Sequence, residues 1–125
     1  MALQTNSQKM AQTAYQRIQD RKTRQKLERE FASFARSFPS LIHACGLAQA
    51  VAFAEAKANK SKHHGEYLED LAAVLSAVGY SDAATPDALA CATRESSVLP
   101  YLRLSRDALA AAGWLKRYVE AAAPE

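Results

Sequence analysis

A chain of 125 residues, about half of them apolar, has the length of one domain and can bury roughly two thirds of the surface it exposes when unfolded. Alanine fills 27 positions while Gly and Pro take four each, so propensity favours helix and no segment reads as a strand; with no run of eighteen apolar residues and a polar first twenty, a membrane span and a secretory signal are both excluded and a cytoplasmic protein is expected. The net charge of +3 is unevenly spread: residues 1–36 carry eight Lys/Arg against three Asp/Glu (+5) and the remaining 89 carry eight against ten (−2), so a polyanionic partner is sought first at the amino-terminal end.

In chain order, Ser7 is a candidate cap for a helix opening at Gln8. Ala11, Ala14, Tyr15 and Ile18 form one apolar face, and Leu27, Phe31, Phe34 and Phe38 form another about 180° away in helical phase. Either the chain breaks near Arg21–Arg24, or one long helix packs its halves against different neighbours; the break is the reading adopted, although no Gly or Pro marks it. Phe38-Pro39-Ser40 punctuates next, with Pro39 in the first turn of a helix that carries Leu41, Ile42, Cys45, Ala52 and Phe53 toward Lys57. Asn59–Gly65 reads as a polar basic loop. Tyr67, Leu68, Leu71, Val74, Leu75 and Val78 mark a further helix closed by Gly79, and Thr85-Pro86-Asp87 supplies the cap, the Pro and the acid that open a short one. A last helix spans about Val98 to Ala122, with Leu102, Leu109, Trp114, Leu115, Tyr118 and Val119 as core candidates. The expected fold is all-α, a compact single domain over residues 1–125 built as a bundle of five to six helices, with residues 1–7 and 120–125 as loose ends.

Catalytic constellations are absent from the sequence. His63-His64 lacks the i, i+4 spacing of a helical zinc pair and reads as a solvated loop pair, while Glu66, Glu69 and Asp70 read as the wet face of their helix. No glycine-rich phosphate loop or GxSxG motif occurs, and neither Cys45 nor Cys91 has a His beside it or a CxxC spacing. No catalytic residue, metal ligand, cofactor or small-molecule substrate is assigned, and the chain is read as a non-enzyme.

The cations make the stronger case. Arg17, Arg21 and Arg24 lie within about 60° of one another on a helix, and Lys26, Arg29 and Arg36 stand opposite the phenylalanine stripe, with Lys57, Lys60 and Lys62 continuing the count. Near the end, GWLKRYV turns Trp114, Leu115, Tyr118 and Val119 to one side and Lys116 and Arg117 roughly to the other. Such charge also fits an ordinary solvated face on which Asp20 and Glu28 pair at helical spacing; if the partner is a nucleic acid, the phenylalanines sit on apolar stripes and leave few rings to stack on bases, so contact is expected with the phosphate backbone.

The run FPSLIHACGLAQAVAFAEAKANK, residues 38–60, and the tail YLRLSRDALAAAGWLKRY, residues 101–118, together with Ala14-Tyr15, resemble the small all-helical subunit family of the type III-B CRISPR effector, the Cmr complex. The blocks fall in the family's order over most of the chain, with Gly46, Leu47, Gln49, Ala52, Phe53, Lys57, Trp114, Leu115, Lys116 and Arg117 at matching positions. Asp107 stands where the longer Glu is usual, and the Ala-rich residues 83–92 match poorly. The resemblance implies a non-catalytic subunit of an RNA-guided, RNA-targeting antiviral ribonucleoprotein. Such a subunit stacks as a minor filament, with copies of itself and the backbone subunits as partners, and lines the channel holding crRNA and target RNA. Arg17, Arg21, Arg24, Lys57, Lys116 and Arg117 are then the expected RNA-binding residues. The alternative is a purely architectural helical adaptor that never touches RNA.

Overall fold

The computed structural model describes residues 3–24 and 27–122. The first helix opens at Thr5 and not at Ser7: the Gln8 amide donates to Thr5 Oγ1 at 3.1 Å and the Thr5 amide donates to Gln8 Oε1 at 2.8 Å, a reciprocal cap that satisfies two orphan donors. Helix α1 (Asn6–Arg24) buries Met10, Ala14 and Ile18. Tyr15, expected inside, is 49% exposed, because the buried stripe is rotated toward the flank that carries Arg17 and Arg21.

The two opposed apolar faces are separated, as expected, by a break after Arg24. Lys26, part of the second predicted ridge, lies outside the described residues. Helix α2 (Arg29–Cys45) buries Phe31, Phe34, Phe38 and Ile42, and it runs straight through Pro39 instead of starting there. A proline inside a helix costs about 3 kcal/mol. Burial of each large apolar side chain returns roughly 1.5–3 kcal/mol, and Phe34, Phe38 and Ile42 flank the site on both sides, so packing outweighs the missing amide. The chain turns at Gly46, whose φ of 85° and ψ of 162° would strain any other residue by about 1–3 kcal/mol. Its amide donates to the Ile42 carbonyl and its carbonyl accepts from Ala50, so one residue closes α2 and opens α3 (Leu47–Ala58).

Helix α4 (Lys62–Ala77) starts earlier than expected, and His63, His64 and Gly65 belong to its first turn and not to a loop. It ends as expected at Gly79, φ 107°, where the Tyr80 amide reaches the Leu75 carbonyl and the Gly79 amide the Ser76 carbonyl. A 3₁₀ turn at Ser81–Ala83 leads to α5 (Pro86–Glu95), capped by Thr85 Oγ1 accepting from the Ala88 amide at 3.1 Å. Helix α6 (Val98–Ala122) has the expected bounds. Of the expected loose ends, Asn6, Ser7 and Glu120–Ala122 are helical, and residues 1–2 and 123–125 lie outside the described part.

The described residues thus form six α-helices, within the expected all-α bundle. Helix α6 packs against α1, α2 and α4, and α4 in turn packs against α1 and α3. The core centres on Tyr67, whose ring meets Phe38 at 4.9 Å, Phe34 at 5.3 Å and Phe31 at 6.3 Å between centroids. Leu104, Ala108, Ala111, Ala112, Leu115 and Val119 form the buried stripe of α6. Leu102, a core candidate in the sequence, is 56% exposed with Val98 and Leu99 beside it, because it lies about 160° in helical phase from the inward-facing Leu104.

Candidate nucleic-acid interface

Asp70 is fully buried on α4, and two arginines from α1 neutralise it. Arg17 Nε donates to Oδ1 at 2.8 Å; Arg21 donates from Nε to Oδ2 at 2.6 Å and from Nη2 to Oδ1 at 3.0 Å. Arg21 Nη2 also donates to the Glu66 carbonyl at 2.9 Å, and the Glu66 carboxylate lies 3.6 Å from Nη1 and the Glu69 carboxylate 3.5 Å from Nη2. Burial works against the Arg21 charge, but its hydrogen bond to Asp70 and the attraction of Asp70, Glu66 and Glu69 raise its pKa on balance. The wet acidic face expected on α4 is therefore the seam by which α1 docks, and the arginine side chain most central to the predicted ridge, Arg21, is only 12% exposed. Arg17 keeps 35% of its side chain open.

The first turn of α4 departs from expectation in the same way. The His63 side chain is enclosed, with Nε2 3.3 Å from Glu28 Oε2 and 3.7 Å from Glu30 Oε1, and Nδ1 3.5 Å from Glu66 Oε1. His64 sits against the Phe34 ring at 4.3 Å; burial lowers its pKa, Glu30 opposes the shift, and Lys57 and His63 add to it. Beside this turn lies a cavity of about 240 Å³ between α1, α2 and α4, lined by Arg21, Arg24 and Lys62 but also by Glu28, Glu66 and His63, so its charges largely cancel. Among the described residues no group of three or more His, Cys, Asp or Glu is placed to hold a metal ion.

The remaining predicted cations are spread out, and all but Lys116 are exposed. Arg24, in the last turn of α1, donates from Nε to the Asp20 carbonyl at 3.3 Å and lines that cavity. Lys57, near the end of α3, holds Nζ 5.4 Å from the Phe53 ring centre, beside a shallow groove of about 570 Å³ lined by Phe34, Leu41, Ala44 and Phe53. Lys116 is half-buried and Arg117 exposed on α6. No ion pair engages Arg24, Lys57, Lys116 or Arg117 among the described residues, in contrast to Arg17 and Arg21.

Pairing α1 with α6 brings together a charge excess that the sequence divides between its two ends. These two helices hold nine Lys/Arg (Lys9, Arg17, Arg21, Lys22, Arg24, Arg103, Arg106, Lys116, Arg117) against three acids (Asp20, Asp107, Glu120), leaving seven against ten for the rest of the chain. Arg103 and Arg106 lie in the part of the chain that is acidic on balance, and they stand out only in a count per helix once the helix partners are known. Asp107 accepts from the Tyr80 hydroxyl at 2.6 Å, and the Tyr80 pKa is pushed up to about 12 by burial first and then by this bond.

Comparison with known proteins agrees with this architecture. A family model described as CRISPR-associated protein (Cas_Cmr5) matches residues 6–122. The chain is 38% identical over 119 residues to the CRISPR system Cmr subunit Cmr5 of Thermus thermophilus, covering 95% of this chain and 96% of that protein. The X-ray crystal structure of a CRISPR-associated Cmr5 family protein, also from Thermus thermophilus, matches with a TM-score of 0.83 at 37% identity, covering 96% of this chain and 98% of that one. A match across nearly the whole chain, in sequence and in fold, means that this chain belongs to the Cmr5 family of small subunits of the type III-B CRISPR Cmr complex.

Proposed function

We propose that this chain is a non-catalytic subunit of a cytoplasmic RNA-guided, RNA-targeting complex, stacking with copies of itself as a minor filament beside the crRNA-bearing subunits and touching the guide–target RNA backbone. The charge division carries this reading: nine cations against three acids on the α1–α6 pair, all but Arg17 and Arg21 free of the Asp70 seam, in a molecule otherwise acidic. Such a surface attracts phosphates and releases their counterions without reading bases, which suits a subunit that must accept any target while guide pairing supplies specificity. In this reading Arg24, Lys57, Lys116 and Arg117 are the RNA-facing cations and Arg17 offers its open edge, while Arg21 serves the seam with α4.

Fluorescence anisotropy of a labelled guide–target RNA duplex, titrated with the purified protein across a salt series, tests the proposal. Four phosphate contacts give a log–log slope of about −3 to −4, with no dependence on RNA sequence. An affinity that does not change with salt contradicts it.

The architectural role has its own support in the exposed aliphatic turn of Val98, Leu99 and Leu102, a patch that serves no purpose in the isolated fold and fits a contact with a neighbouring copy. Changing all three to Ser is expected to leave the melting temperature essentially unaltered while preventing incorporation into a reconstituted Cmr complex, measured by co-elution on size exclusion. Normal incorporation of the triple variant removes this patch from the assembly contacts.

A further inference from the structure

Three aromatic rings run in a line along one edge of the α1–α6 seam. Tyr15 of α1 meets Tyr118 of α6 edge-on, with centroids 5.5 Å apart and planes at 73°, and Tyr118 lies nearly parallel to Trp114 at 5.9 Å and 18°. Tyr15 is half exposed, while Trp114 and Tyr118 are partly buried, packed against the core with some surface open. The core takes only one side of the two α6 rings: the fully buried stripe of α6 is made of Ala, Leu and Val, and Trp114 and Tyr118 pack on its flank, about 40° apart, with part of each ring left open.

The surroundings decide what such a ladder suits. Arg117 follows Trp114 by three residues on its outward side, and Lys22 follows Tyr15 by seven, on the same flank of α1. Both are exposed, and no ion pair engages either among the described residues. Of the three acids on these helices, Asp20 and Glu120 lie about 120° or more away from the rings by helical phase, and Asp107 is held by Tyr80. The polar neighbours of Tyr15 on its flank are, besides Lys22, the amides Gln8, Gln12 and Gln19, while its aliphatic neighbours one turn away are the half-buried Ala11 and the buried Ile18. Rings interleaved with cations and amides, free of acids, match the chemistry of unpaired bases on a phosphate chain.

We infer that Tyr15, Trp114 and Tyr118 form a stacking platform for unpaired bases of single-stranded RNA, with Lys22 and Arg117 holding the adjoining phosphates. The inference rests on the RNA-contact reading above and adds to it the strand state of the ligand, since bases inside a duplex are closed to side-chain rings.

Trp114 is the only tryptophan in the chain, so its emission reports on the platform directly. A short oligoadenylate and an abasic ribose-phosphate oligomer of equal length and charge are titrated into the full-length protein. The oligoadenylate is expected to quench Trp114 emission and to bind about 5- to 100-fold more tightly than the abasic chain. Tyr15→Ala abolishes that preference, leaves abasic binding unchanged and melts like wild type, while Tyr15→Phe retains the preference. Equal affinity for both oligomers with unchanged emission overturns the platform but leaves the phosphate reading standing. Binding of neither overturns both. Wild-type RNA binding by Tyr15→Ala, combined with its exclusion from the reconstituted complex, makes the ladder a protein contact and overturns the inference.

Discussion

Replacing Asp70 by Ala is expected to destabilise the bundle by about 3 kcal/mol, toward the lower end of what breaking a buried ion pair costs. The carboxylate is fully buried and accepts three hydrogen bonds from two guanidinium groups, so its loss leaves Arg21 with a charge only 12% exposed to water. Two features keep the cost from rising further: Arg21 retains the Glu66 carbonyl and the Glu66 and Glu69 carboxylates, and Arg17 can turn its open edge to solvent. Single domains are stable by only about 5–15 kcal/mol, so urea unfolding monitored by circular dichroism will show a clear fall in midpoint with little change in slope. The order of effects is also fixed. Arg21→Met, which strips two of the three bonds, is expected to cost more than Arg17→Met, which strips one. A change under about 1 kcal/mol for Asp70→Ala would mean that the seam behaves like an exposed surface pair and does not hold α1 against α4.

Changing Arg24, Lys57, Lys116 and Arg117 together to Glu is expected to weaken binding to a guide–target RNA duplex by at least about 100-fold near 100 mM salt and to flatten the salt slope by about 3–4. Stability should scarcely move, because none of the four takes part in an ion pair among the described residues, whereas Arg17 and Arg21 do. The contrast separates two jobs that the sequence assigns to one ridge. Reversing Arg21 should unfold the protein before it informs on RNA; reversing the other four should remove RNA binding from a folded protein. Unchanged affinity in the quadruple variant, with unchanged melting, would move the binding surface away from these residues.

Features set by local chemistry were legible in the sequence. The Thr85-Pro86-Asp87 opening of α5, the Gly79 stop of α4 and the bounds of α6 each depend on a few adjacent residues, and each is found where the pattern placed it. The break after Arg24 was legible for a different reason, since two apolar faces half a turn apart cannot both meet one core. Features set by the approach of distant segments were not. Pro39 is a stop signal by local rule, and only the burial of Phe34, Phe38 and Ile42 around it shows why α2 continues to Gly46. Asp70 looks like one of several acids on a polar face until α1 covers it, and His63 looks like part of a loop until Glu28, Glu30 and Glu66 surround it. Tyr15 counts as apolar in any periodicity, which does not tell the centre of a stripe from its edge. The charge excess was half visible: that of the first helix was apparent, but adding it to the four cations of α6 required knowing that the first and last helices pack together.

The most direct test of the central claim, that the α1–α6 face meets RNA in the working assembly, is ultraviolet cross-linking of a reconstituted Cmr complex bound to target RNA, with the cross-linked peptides of this subunit identified by mass spectrometry. Cross-links are expected in the α1 segment around Tyr15 and the α6 segment around Trp114 to Tyr118, and to disappear at high salt if RNA is displaced. A complex that contains this subunit in full amount, retains target RNA, and cross-links through its other subunits alone would contradict the account and leave the subunit a scaffold.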